Sequence, residues 1–200
     1  MTGIAPRQRL HPDERRQRLI AATLRTLARH GAKGAGVRQV CRELGVAPSL
    51  VAHFFAGWND LLAAAYDAMA DELLDALERA CAEPAAAPRD RLRAMIECYL
   101  SPEALADDSI GAYLALWALS RTDVDLRAAF ARFHEARTAL FLPVIRQLGS
   151  DGNSELCARS LVVVLDGFWL ELGTNPGSIP CGQAVAMGLA WVETQTTGRT

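Results

Sequence analysis

The chain has no uninterrupted aliphatic run longer than five residues, Leu161 to Leu165 being one such stretch. A membrane-spanning helix needs about twenty apolar residues in succession, so neither a span nor a membrane partner is expected. The polar N-terminus up to Pro12 carries arginines with no apolar stretch behind them, which argues against a secretory signal. The cysteines Cys41, Cys81, Cys98, Cys157 and Cys181 are odd in number, scattered, and without a Cys-x-x-Cys pair or a neighbouring histidine. They read as small apolar residues of a reducing cytoplasm, and neither a metal nor a cofactor is expected. There is no His-Glu-x-x-His and no phosphate loop, and the glycines from Gly31 to Gly36 follow a helical pattern where a nucleotide cradle follows a strand. Ser49 and His53 lie one helical turn apart, but no third group is evident to orient a nucleophile pair, so an enzyme is not expected.

Charge is unevenly placed. Residues 1–60 hold ten Lys/Arg against four Asp/Glu, a net +6, whereas residues 61–200 hold eleven against nineteen, a net −8. A basic head on an acidic body points to a polyanion that meets the head alone. The plainer reading is ordinary solvated surface charge.

Helical periodicity dominates, and no stretch alternates as a strand does. The expected fold is all-α, about nine helices. Pro12, Asp13 and Glu14 open the first, Ile20, Leu24 and Leu27 continue it, and Gly31 ends it in the left-handed conformation. Val37, Val40, Cys41 and Leu44 mark a two-turn helix closed by Gly45, and Pro48 opens another with Val51, Phe54 and Phe55 inward. A long helix follows over about 59–81, then helices near 89–100, 103–121, 123–148, 154–173 and 182–196. The division expected is a three-helix head over 1–58 and a helical body over 59–200.

Two short helices joined by Gly45-Val46-Ala47 form a helix-turn-helix: a glycine tolerant of positive φ, an apolar plug after it, and Val51 and Phe55 inward at helical spacing. Three runs, Arg15-Arg16-x-x-Leu19-Ile20-x-Ala22, Val40-Cys41-x-x-Leu44-Gly45-Val46 and His53-Phe54-Phe55-x-x-x-Asn59-x-Leu61, resemble the TetR family of bacterial regulators. Asp166-Gly167-Phe168-Trp169-Leu170, with Tyr113 to Trp117, is similar to the branch that contains the choline-responsive repressor BetI. The resemblance implies a homodimer that binds a palindromic double-stranded DNA operator and releases it to a small-molecule effector. It implies that the second short helix enters the major groove, with Ala47, Pro48, Ser49, Ala52 and His53 as contact candidates and Arg38 on the helix before. Ser49 can equally bond its own first turn, and His53 can be an exposed surface histidine. The chain departs from the family pattern at Gly36, where a capping threonine is common, at Ser49, which replaces a frequent glycine, and at Trp58, which stands where a phosphate-contacting lysine is usual. An indole N–H donates to phosphate without neutralising it.

Two further expectations concern the body. Tyr113 and Trp117 share one helix face while Asp166 and Trp169 lie one turn apart on another, an aromatic wall beside a carboxylate suited to a small organic cation. A small apolar ligand, or plain core packing, fits the same residues. Leu161 to Leu172 is apolar on nearly every face and must be covered by its own subunit and by something else. Leu161, Leu165, Ala184, Gly188 and Trp191 are therefore expected at a dimer interface; the other reading is that they fill one subunit's core. The competing function is a helical protein-interaction module that does not bind DNA.

Overall fold

The computed structural model describes residues 11–82, 86–149 and 153–197. Among the described residues it contains nine α-helices and no strand: α1 (Pro12–Gly34), α2 (Val37–Leu44), α3 (Pro48–Phe54), α4 (Trp58–Cys81), α5 (Pro88–Tyr99), α6 (Asp107–Ser120), α7 (Val124–Gln147), α8 (Ser154–Thr174) and α9 (Cys181–Thr197). The expected helices are therefore all present; the largest shift is at α6, which opens four residues later than the spacing suggested.

Local chemistry accounts for several of the boundaries. The Glu14 carboxylate accepts from the His11 backbone N–H at 3.0 Å and closes the start of α1. Gly31 takes φ 63°, a conformation that costs glycine little, and kinks α1 before its last turn. Gly45, at φ 64° and ψ 37°, ends α2 and turns the chain into α3. Asp123 caps α7 by accepting from Leu126 N–H at 2.9 Å.

Three cores follow one another along the molecule. The head core gathers Leu19, Ile20, Val40, Cys41, Val51, Phe55 and Leu61 from the first four helices. A middle core of Leu27, Leu62, Tyr66, Ala112, Leu116, Leu126 and Phe133 joins α1 to α4, α6 and α7. The third core lies between α5, α7, α8 and α9. Leu24 and Trp58 pack against both the head and the middle cores, so the head is not a separate ball on a linker.

Helix α1 crosses α6 at close range. A Cβ on Gly111 would stand 3.1 Å from both the Cα and the carbonyl oxygen of Ala28. Backbone atoms cannot swing aside as a side chain can, so the missing side chain at residue 111 is what lets the two helices approach this closely without strain. Gly111→Ala gains helix propensity but forces α1 away from α6, and the net effect expected is a loss of about 1–3 kcal/mol. Gly182→Ala, which meets nothing within 4 Å, is the control and is expected to leave stability unchanged or slightly raised. Urea unfolding of the two variants measures the difference.

Candidate functional site

The head presents α3 outward. Val51 and Phe55 anchor it to the core, while Ala47, Pro48, Ser49, Ala52 and His53 are all exposed, as is Arg38 on α2. Ala47 serves as the N-cap of α3 and Pro48 opens it, so the backbone at the exposed end is fixed by a residue that has no N–H to lose there. The His53 ring packs edge-on against Phe54 with centroids 4.9 Å apart. Trp58 departs from this array. Its indole is partly buried between the head and middle cores, so much of its surface is used in packing and it does not stand out with the other six candidates.

Sequence reasoning missed what braces the head. The Arg16 guanidinium lies 5.1 Å from the centre of the Phe55 ring and ties α1 to the end of α3. His30 Nε2 is 3.1 Å from the Gln39 amide nitrogen and 3.6 Å from a Glu43 carboxylate oxygen, a polar clasp between α1 and α2. Both depend on residues far enough apart in sequence that no local pattern signals them.

The body encloses a cavity of about 420 Å³ between α4, α5, α6, α7 and α8. One wall is aromatic: Tyr113 and Trp169 meet edge to face at 4.9 Å. The Trp169 indole N–H donates to the Ala104 carbonyl at 2.9 Å and so pins the turn between α5 and α6 against the cavity. Asp166 lies in the wall, and beside it is a residue that the sequence did not flag, Arg137. The Arg137 guanidinium forks onto Asp166 at 2.5 and 3.3 Å, and the Tyr99 hydroxyl accepts from Arg137 and donates to Asp166. Arg137 is 4% exposed, whereas the Asp166 side chain keeps 37% of its surface. Burial raises the Asp166 carboxyl above its ordinary range, although the Arg137 charge and hydrogen bond and the His134 charge pull it down. The Tyr113 hydroxyl is likewise pushed up, first by burial and then by Asp166.

Three of the four residues expected at a ligand site, Tyr113, Asp166 and Trp169, do line one cavity. Trp117 does not: it is 55% exposed and outside the cavity wall. Four residues advance about 6 Å along a helix and 40° around it, which carries Trp117 past the end of the wall that Tyr113 forms. The interface set needs a larger correction. Leu161, Leu165 and Ala184 have no exposed surface, and Gly188 packs where a Cβ would be 3.4 Å from Ile96. These four fill the subunit's own core because α9 lies on α8 and takes its most apolar side; of the five, Trp191 alone keeps some exposed surface. What α8 leaves outward is Leu156, Val163 and Leu170, seven residues apart on one stripe, with Met187 exposed on α9. Among the described residues no group of acids, histidines and cysteines is arranged to hold a metal ion, and the five cysteines are unpaired.

Comparison with known proteins decides the family. The profile described as "Bacterial regulatory proteins, tetR family" matches residues 19–65, and the one described as "BetI-type transcriptional repressor, C-terminal" matches residues 88–197. The chain belongs to the TetR family of transcriptional regulators and carries a BetI-type C-terminal domain. It is 31% identical to an HTH-type transcriptional regulator BetI of Stenotrophomonas maltophilia, with 84% of each chain covered. A transcriptional regulator from Pseudomonas aeruginosa superposes with a TM-score of 0.88 at 35% identity, over 97% of this chain and 96% of that one. A Saccharomonospora viridis regulator crystallised with choline shares the fold, with a TM-score of 0.72 at 20% identity over 90% of this chain and 96% of that one. The protein is thus a DNA-binding regulator and not an enzyme. Regulators of this family bind operator DNA and small effectors and act as dimers.

His53→Ala is expected to lower affinity for the cognate operator by about 1–3 kcal/mol and to leave binding to random DNA nearly unchanged. Fluorescence anisotropy on the two DNAs separates the cases, since an equal loss on both would make His53 a backbone contact.

Proposed function

We propose that the protein is an effector-controlled repressor that holds a near-palindromic operator as a homodimer and leaves it when a small organic cation enters the cavity. The observation that carries this reading is the double duty of α6. Tyr113 and Ser109 on that helix line the cavity, while Gly111 on the same helix lies against the backbone of α1 in the head. A ligand that displaces α6 acts on the helix that buttresses α3.

Several features support a cation. Three acids, Glu72, Glu103 and Asp166, line the cavity against two arginines, Arg79 and Arg137. Asp166 keeps open surface beside the Tyr113 and Trp169 rings, whose faces attract positive charge. The choline bound by the Saccharomonospora viridis regulator of similar fold points the same way. Displacement by choline of the protein from its own upstream intergenic DNA, followed by electrophoretic shift, tests the reading; retention at saturating choline and related quaternary ammonium compounds would refute it. A body that binds no DNA, the protein-interaction reading, predicts no shift at all.

The cation's affinity is expected to fall as pH drops, beginning above the ordinary aspartate range. A raised carboxyl takes up its proton early and loses the charge that attracts the ligand; Arg137 and His134 oppose the rise but do not cancel it. Calorimetric titration of choline across pH checks the direction.

For the homodimer, the apolar stripe of α8 with the exposed Met187 of α9 is the face we assign to the two-fold contact. Val163→Arg combined with Leu170→Arg is expected to give a folded monomer in sedimentation analysis, because both side chains are exposed in the subunit. A dimer that persists would move the interface elsewhere.

A further inference from the structure

We infer that Arg137 sets the cavity's affinity for cations: its guanidinium is a built-in cation that shares Asp166 with the ligand and limits how tightly a ligand cation is held. The inference rests on the reading of the cavity as a cation site. Its ground is the way the seat is already filled. The guanidinium stands 4.3 Å from the centre of the Phe133 ring and 5.6 Å from that of Tyr99, so it occupies aromatic faces of the kind a ligand cation would seek. It forks onto Asp166 with one short bond, to Oδ1, and one long bond of 3.3 Å, to Oδ2. The carboxylate nevertheless remains 37% exposed, while Arg137 is 4% exposed and its Nε is buried without a partner.

The consequences are electrostatic. A ligand cation that docks on the open side of Asp166 meets a carboxylate whose single charge is already divided, with a second cation a few ångströms behind it. Like charges at such separations repel appreciably in a protein interior. Among the described residues Arg137 has no alternative acid as a hydrogen-bond partner, Tyr99 being the other group it bonds, so it does not step aside without losing its counter-charge. The cavity thereby holds any cation that docks on Asp166 less tightly, because the repulsive element sets the affinity as well as the attractive one.

The test uses the full chain, with choline and tetramethylammonium as probes, in calorimetry at pH 8 so that Asp166 stays ionised. Arg137→Gln removes the charge but keeps an amide donor for Asp166, and Arg137→Lys keeps the charge. We expect Arg137→Gln to bind both probes at least about tenfold tighter than the wild type and Arg137→Lys to stay within about twofold of it. Asp166→Asn in the Arg137→Gln background is expected to cancel the gain. Equal or weaker binding by an Arg137→Gln protein of unchanged melting temperature overturns the inference, as does an equal gain in Arg137→Lys. Should Arg137→Gln melt early, Arg137→Met, which keeps a long side chain over Phe133, takes its place. Wild-type binding without a gain in the variant sinks the role of Arg137 alone, whereas silence in every protein sinks the cation reading with it. Binding seen only once the charge is removed supports the role of Arg137 and overturns the reading of these quaternary ammonium compounds as effectors of the wild-type protein.

Discussion

The head and the cavity are joined where α6 lies on α1, and that contact has no slack. On one side Gly111 lets the backbone of α6 approach Ala28; on the other, Ile110 reaches so close to Gly173 of α8 that a Cβ there would stand 2.2 Å from its Cδ1. A helix held between two such surfaces cannot creep by a fraction of an ångström at one end alone. Packed contacts of this density shift between discrete arrangements or stay put. Tyr113, about one turn of α6 beyond Ile110, lines the cavity, so whatever fills the cavity bears on a clamped element.

The clamp explains why the middle core is built as it is. Tyr66 stacks on Phe130 at 3.9 Å and meets Phe133 edge-on at 5.9 Å, a rigid aromatic group that backs both α6 and the Arg137 site. Arg137 and Asp166 add little net stability, because removing two charges from water costs about as much as their attraction returns. Their worth is geometric: the pair ties α7 to α8, and through the Tyr99 hydroxyl it brings in α5. Removing one partner alone is a different matter, since the charge left behind is buried or half-buried with no counter-ion.

Much of this was legible in the sequence, and the limits of legibility have a physical cause. The head could be read because its signals are local: Gly45 at the turn, Pro48 at the start of α3, and Val51 and Phe55 one turn apart all specify conformation within a few residues. The cavity was half legible. Periodicity put Tyr113 and Trp117 on one face and Asp166 and Trp169 on another, but it does not say where along a helix a wall ends, and Trp117 lies beyond it. Arg137 carried no signal, because an arginine in a helical stretch looks like solvated surface until Asp166, twenty-nine residues on, is seen to hold it. The interface failed for a related reason. On a helix that is apolar all round, composition does not distinguish the side taken by α9 from the side left bare, and the packing of α9 buries Leu161 and Leu165 and leaves Leu156, Val163 and Leu170 exposed.

The same geometry bounds how strongly a ligand can control DNA binding. A ligand shifts an equilibrium only by its difference in affinity for the two states, and moving a population from 1:99 to 99:1 takes a factor of about ten thousand. Coupling between two sites in one protein is commonly worth about 1–3 kcal/mol, or roughly 5- to 150-fold. One cavity acting through one α6 falls short of a full switch. Two cavities in a two-fold dimer, each bearing on its own head, multiply their factors, and roughly a hundredfold from each reaches the required range. On the proposed reading a dimer would serve twice over: it would present two α3 helices to a palindromic site, and it would add the two cavities' modest couplings into one release.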